Sequence, residues 1–428
     1  MNSFEERLRS GLETVAAAQG LPVGFEDRVG ERVASARRRR AFSRGGLMVV
    51  VLLAFIGGAV VIIDDPPVQT TIAGGPLDPG WHPIADAPIP PRIQALSVGM
   101  GDRVLVWGGW DDESRLDGAV YDSADDTWTE VPSSPFNVGD AVGAWTGEEA
   151  IVVSGERNDV VGAAYDPDTN SWRTLPAPPL ANGASALNHA LWTGTEVVIV
   201  GIADAGDQGT VNQVARYDPA TNIWRTGALP AAPLPGFGDA AWTGTEVAVV
   251  GHVNGSGSSI GNNTLHLYNP NLDRWREIPW ELDGVRGTMT VAWTGDALFI
   301  GGGRLIDGAS EEFLRDAALV DLANDRWDRL PDAPVAFAGN ERFAEVWTGS
   351  TVLTFEGAGA TPLAFDPKSR TWRTGTPSPI EGYRMETAWT WVPSRRSVVM
   401  WSGAFSSMDS PTRTFCCSPI DGGETYTP

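Results

Sequence analysis

Basic side chains are scarce in this chain, and lysine is almost missing: Lys368 is the only one among 31 Lys and Arg. Cysteine is limited to the adjacent pair Cys416 and Cys417, histidine to four residues and tyrosine to six. Each shortage excludes something. Two neighbouring cysteines cannot build a disulfide framework, because a vicinal bridge closes only a small strained ring and staples no distant segments. They read as two small buried residues on a third strand, with a strained vicinal disulfide as the alternative. The histidines, His82, His189, His252 and His266, have no metal-ligand spacing; His252 and His266 flank one long loop, but two imidazoles without a third ligand make no site. Asp166-x-Asp168-x-Asn170 imitates the start of a calcium loop, yet Ser171 and Ala177 stand where that loop needs Gly and Glu. No GxSxG, HExxH or P-loop pattern occurs. The sequence therefore assigns no catalytic residue, no metal and no cofactor.

The charge excludes more. The formal net charge is -23, and it is unevenly placed. Residues 1–45 carry nine Arg against six Asp and Glu, residues 46–63 carry no charge, and the remainder holds 22 basic against 48 acidic residues. So acidic a body repels phosphates and argues against a nucleic-acid partner.

The one long apolar run is Gly45 to Ile63, uncharged and long enough to cross the hydrocarbon layer as a helix. Arg37 to Arg40 and Arg44 precede it and Asp64-Asp65 follow it, which places residues 1–44 in the cytoplasm as a polar tail. A leader of that length is too long for a cleaved signal peptide, so 45–63 is expected to be an uncleaved single-pass anchor. Residues 64–80, rich in Pro and Gly, read as a tether. The expected location is the cytoplasmic membrane, with everything beyond the tether outside the cytoplasm.

Repeats fill the rest. WTGEEAIVVSG at Trp145 recurs as WTGTEVVIVG at Trp192, WTGTEVAVVG at Trp242, WTGDALFIGGG at Trp293, WTGSTVLTFEG at Trp347 and a longer form at Trp389, with a degenerate copy at Val98. A second half recurs as YDSADDTW (121–128), YDPDTNSW (165–172), YDPATNIW (217–224), YNPNLDRW (268–275), VDLANDRW (320–327) and FDPKSRTW (365–372). Val, Ile, Tyr and Trp dominate the segments, and Gly, Asp, Asn and Pro fill the joints, as antiparallel strands with tight turns require. A period near fifty with four strands per copy is that of a β-propeller. Seven first halves meet only six complete second halves. The strand missing after Gly403 is expected to be Trp81-His82-Pro83-Ile84, whose sequence matches WTEV (128–131) and WRTL (172–175). The fold expected is all-β, a seven-bladed propeller over 81–428 closed by an N-terminal strand.

The Gly after each second strand, doubled at Gly108-Gly109 and tripled at Gly301 to Gly303, and the YDPxTxxW half resemble kelch repeats and the propeller domain of galactose-oxidase-like proteins. The arginine bias fits a bacterial, GC-rich coding sequence. The resemblance implies the fold rather than an activity. The copper-radical site of galactose-oxidase-like proteins needs two Tyr, two His and a Cys. Here four tyrosines are spent on the repeat, leaving Tyr383 and Tyr426, so that chemistry is not expected.

Strand direction places the uniform Thr-Gly and Asp-Pro turns on one face. The second-to-third-strand loops, variable in sequence, share the other face with the links between blades. Function is expected there, since binding residues concentrate on loops carried by a rigid scaffold. Arg92, Arg286, Arg342 and Arg384 stand ahead of the innermost strands, near the channel mouth on that face. They read either as guanidinium forks for a carboxylated or phosphorylated ligand or as bridges between blades. The function expected is a membrane-anchored module binding an extracytoplasmic protein or a cell-envelope glycan. The alternatives are an enzyme with a dispersed site at the channel mouth, or a transmembrane signalling component acting through residues 1–44.

Overall fold

The computed structural model describes residues 79–428 apart from 136–139, 157–158, 181–183, 205–209, 232–236, 253–262, 306–311, 339–345, 357–360, 380–382, 386, 407–419 and 421. The polar segment 1–44, the apolar run 45–63 expected to be an anchor, residues 64–78 and both cysteines lie outside these residues. Among the described residues no helix is long and apolar enough to cross a membrane.

Seven antiparallel sheets form seven blades. In the first, Leu96–Met100, Arg103–Trp107, Gly118–Asp122 and Thr127–Val131 pair in chain order from the axis outward. The next four blades repeat that order over 140–174, 184–226, 237–278 and 290–329. In the sixth, the inner edge is shared by two short strands, Phe337–Ala338 and Val346–Trp347, both paired with Val352–Glu356. The seventh runs Ala388–Val392, Ser397–Trp401, Gly423–Thr427, and then Gly80–Pro83 as its outermost strand.

The expected closure by Trp81 is therefore present, but the third strand of that blade differs from expectation. It is Gly423–Thr427, not the stretch holding Cys416 and Cys417. Tyr426 pairs with Trp81 in the register that joins Tyr121 to Trp128 and Tyr217 to Trp224. Tyr426 is thus spent on the repeat as well. The ring centroids of such pairs are 4.9 Å apart for Tyr426 with Trp81 and for Tyr217 with Trp224, and 5.0 Å apart for Tyr121 with Trp128.

The second strands explain how the blades stack. Their runs, such as Val197-Val198-Ile199-Val200, are continuously apolar because both sides are covered. Val197 and Ile199 pack in the seam with the second blade, while Val198 and Val200 pack in the seam with the fourth. The same alternation recurs around the ring, and seven apolar clusters fill the seven seams, including that between the seventh and first blades. Each outer tryptophan then reaches back one blade. Trp128 Nε1 donates to the Ala85 carbonyl at 2.8 Å and Trp172 Nε1 to Pro132 at 2.9 Å. Trp275, Trp327, Trp372 and Trp81 donate likewise to Ala228, Pro279, Pro331 and Thr376. The acceptor always lies four residues beyond the previous blade's outer tryptophan, so Trp81 occupies a regular place in the series. Trp224 is the exception, its indole N–H having no partner among the described residues.

Both uniform turns are specified locally. In the Thr-Gly turns the threonine hydroxyl donates to the carbonyl three residues on and accepts that residue's N–H, as in Thr193 with Glu196. The glycine between them has positive φ, 96° at Gly194 and 102° at Gly147, the geometry of a two-residue hairpin loop. In the Asp-Pro turns the fifth residue after the tyrosine is left-handed, with φ 48° at Asn170 and 55° at Asn222, where Asn and Asp are best tolerated. The same side chain accepts the tyrosine hydroxyl, Tyr165 to Asn170 at 2.9 Å and Tyr217 to Asn222 at 2.8 Å. Where the aromatic has no hydroxyl, at Phe365, the left-handed residue is Arg370.

Candidate functional site

The uniform face is closed by ion pairs. Arg173 bonds Glu149 in its own blade and Asn222 in the next, and Arg276 bonds Glu246 and then Asp325 of the fifth blade. Arg103 reaches Asp168, and Arg370 reaches Asp328. These charges are engaged in holding neighbouring blades together. The other face carries the variable loops and is uneven. The second and third strands of the third blade extend as Val197–Asp204 and Thr210–Asp218, whereas those of the first blade stop at Trp107 and begin again at Gly118. Blades two and three therefore project further than blade one.

The predicted arginines fall into different places. Arg92 is buried in the first blade, its side chain fully covered. Its fork takes both oxygens of Asp117, Nη1–Oδ1 2.8 Å and Nη2–Oδ2 3.1 Å, while Nε donates to the Pro90 carbonyl and Nη1 to that of Gly108. Its backbone is held from the seventh blade, where the Ser402 hydroxyl accepts the Arg92 N–H at 2.7 Å. Arg286 repeats this design. Its fork takes Asp316 at 2.8 and 3.1 Å, and its backbone exchanges two hydrogen bonds with the Asn263 amide of the fourth blade. Both act as rivets: the side chain is fixed by one blade and the main chain by the blade before it. A bidentate carboxylate already fills each fork, which is the bridging alternative rather than an open ligand fork. The doubled glycines belong to the same device, since Gly109 has φ 90° and a Cβ there would stand 2.6 Å from the Ile93 carbonyl. Arg342 lies outside the described residues. Arg384 sits on Tyr383–Met385, opposite Phe405.

Burial pushes the Asp117 carboxyl up, but the hydrogen bond and charge of Arg92 pull harder, so it titrates below the ordinary carboxylate range. It is an anion at neutral pH. Tyr165 moves the other way: burial raises its hydroxyl to about 12, so it donates to Asn170 as the neutral phenol.

One pairing was not legible in the sequence. His189 and Asp239 occupy equivalent places on the innermost strands of blades three and four, each three residues before its Thr-Gly tryptophan. His189 Nε2 lies 3.6 Å from Asp239 Oδ1, and both side chains are largely covered. Oδ1 also accepts the Ala240 N–H at 2.7 Å, while Oδ2 is buried with no hydrogen-bond partner among the described residues. By contrast, the backbone register sets His252 and His266 apart. His252 pairs with Asn263 and His266 with Val249, three residues along the same ladder, about 10 Å apart. His266 is buried against the edge of Trp275. Among the described residues no group of three or more His, Cys, Asp or Glu is placed to hold a metal ion.

A kelch motif model matches residues 91–135, the extent of the first blade and its Arg92 link. The Kelch-like protein terF of Aspergillus terreus is 25% identical over 285 residues, which is 61% of this chain and 60% of that protein. The chain thus spans less than two thirds of that relative. The solved structure of YjhT aligns over 68% of this chain and 99% of its own at 15% identity, with a TM-score of 0.49. This chain is a seven-bladed β-propeller whose first blade matches the kelch motif.

Proposed function

We propose that the propeller is a binding module for an extracytoplasmic protein or cell-envelope glycan, held at the outer side of the cytoplasmic membrane by residues 45–63. The observation that carries the binding reading is the division of labour between the faces. The uniform turns are locked to one another by Arg173, Arg276, Arg103 and Arg370, and variation is confined to the opposite loops. Variable loops on an over-determined scaffold are the economical way to build a recognition surface. The anchor and its orientation rest on the hydropathy of 45–63 and on the arginines before it.

The test has two arms. In a chain with Cys416 and Cys417 replaced by Ser, a single cysteine at Thr195 should react with a membrane-impermeant maleimide on intact cells. One at Ser10 should react only after permeabilisation. Photo-crosslinkers in the 253–262 loop should capture a partner that crosslinkers at Thr195 and Thr348 do not. Labelling of Ser10→Cys from outside, or capture from the uniform face alone, would refute the reading.

The His189–Asp239 pair favours a second reading, an enzyme with a dispersed site on the channel wall, because an imidazole beside a buried carboxylate can move a proton. Turnover of any substrate that persists unchanged in Asp239→Asn would remove that pair from it.

A further inference from the structure

All eighteen tryptophans lie among the described residues, and only Trp110 is exposed. The rest line the seams or cover the blade edges. Trp110 has no place in the repeat. It follows Gly108-Gly109 and opens the variable loop of the first blade, and among the described residues its ring makes no aromatic pair. Its main chain is nevertheless fixed, since Trp110 N donates to the Ile93 carbonyl and Ile93 N to that of Trp110, both at 2.9 Å. The loop behind it is locked too. Arg115 grips Asp111 with Nε–Oδ1 2.6 Å and Nη2–Oδ2 2.8 Å, reaches Glu113 at 3.0 Å, and donates its own N–H to the Gly109 carbonyl. A large aromatic is thus displayed in water on a pre-ordered loop, the condition under which a binding anchor loses least entropy on complex formation.

The electrostatic surroundings select the occupant. Between Trp110 and Asp117 stand four carboxylates, Asp111, Asp112, Glu113 and Asp117, against Arg115 and the buried Arg92. Asp112 and Glu113 are exposed at the tip, and the propeller as a whole is strongly acidic. A neutral sugar would gain nothing from this charge. An alkylammonium or guanidinium would gain from both the carboxylates and the indole face.

We propose that Trp110, flanked by Asp112 and Glu113, anchors a Lys- or Arg-bearing extended segment of a protein partner. This rests on reading the variable face as the binding face, and it narrows the ligand from protein or glycan to a basic peptide.

The test is selection of a random decapeptide display library on the full-length chain, followed by titration of the enriched peptides. Enriched sequences should carry Lys or Arg. Their affinity should fall about tenfold in Trp110→Ala, stay within about threefold in Trp110→Phe, and weaken in Asp112→Asn together with a shallower salt dependence. Melting temperatures should be unchanged, because the ring lies outside every seam. Enriched peptides without basic residues, equal binding by Trp110→Ala, or no enrichment at all would overturn the proposal. So would capture of neutral oligosaccharides through Trp110. Loss of this site with crosslinking from the 253–262 loop retained would leave the module reading standing.

Discussion

Removing either member of the Arg92–Asp117 rivet tests whether the arginine ring is structural, and the two members should not cost the same. The guanidinium is fully covered, whereas the Asp117 side chain is 41% exposed. In Arg92→Met the charge that remains can be rehydrated. The loss is then the fork itself plus the donors to Pro90 and Gly108, about 2–3 kcal/mol. In Asp117→Ala the buried cation is left without its counterion. Breaking a pair in this way costs about 3–5 kcal/mol. The double variant should then be no worse than Asp117→Ala alone, giving a coupling of at least about 2 kcal/mol. Urea unfolding followed by tryptophan fluorescence measures all four chains. The reasoning fails if Asp117→Ala is milder than Arg92→Met, or if either lies within about 0.5 kcal/mol of the parent. An arginine held open for a ligand would give that second result.

Glycine sites should separate by their surroundings. Gly194 has φ 96° and open space around its Cα, so Gly194→Ala should cost about 1 kcal/mol of backbone strain, whereas Gly109→Ala adds a clash with the Ile93 carbonyl and should cost at least twice as much in the same urea assay. Acid stability follows from the turn carboxylates. The Thr169 hydroxyl and turn amides hold Asp166 below the ordinary range, the Thr221 hydroxyl does the same for Asp218, and Arg92 does so for Asp117. Groups with depressed folded pKa stabilise fully above the unfolded value of about 3.9 and lose that contribution as pH falls through the folded one. Melting temperature should therefore be insensitive to these groups from pH 7 to about 5 and drop below about 4; a main loss between pH 7 and 5 would contradict this. In the second strand of the third blade, Ile199→Ala should cost about 2–5 kcal/mol, because Ile199 is fully buried in the seam with the second blade. An effect below about 1 kcal/mol in calorimetry would be inconsistent with that seam.

The fold was legible because the repeat writes its own geometry into spacing. Tyr and Trp seven residues apart are cross-strand partners, and Thr-Gly and Asp-Pro are the two hairpin turns. Closure by Trp81 was legible for the same reason, since the outer strand keeps its sequence wherever the chain supplies it. The third strand of the last blade was not, because Tyr426 is not followed by the turn and the tryptophan seven residues on that mark the other copies, and its tryptophan lies 345 residues upstream in sequence. Sequence position placed Arg92 and Arg286 on the correct links but could not show that Asp117 and Asp316 fill their forks. The His189–Asp239 pair joins strands of different blades, and local pattern carries no information about which side chains two blades bring together. Trp110 was readable in principle, as one of the few tryptophans outside the repeat's own positions.

The closed seven-bladed ring is tested most directly by cross-linking His82 to Thr425, residues opposite each other in the antiparallel ladder of the last blade. In a chain with Cys416 and Cys417 replaced by Ser, His82→Cys with Thr425→Cys should form an intramolecular disulfide, found by mass spectrometry of the linked peptides. His82→Cys with Glu424→Cys, one register position off and on the other face of the sheet, should not. Absence of the first link, or equal yield of the second, would contradict the ring.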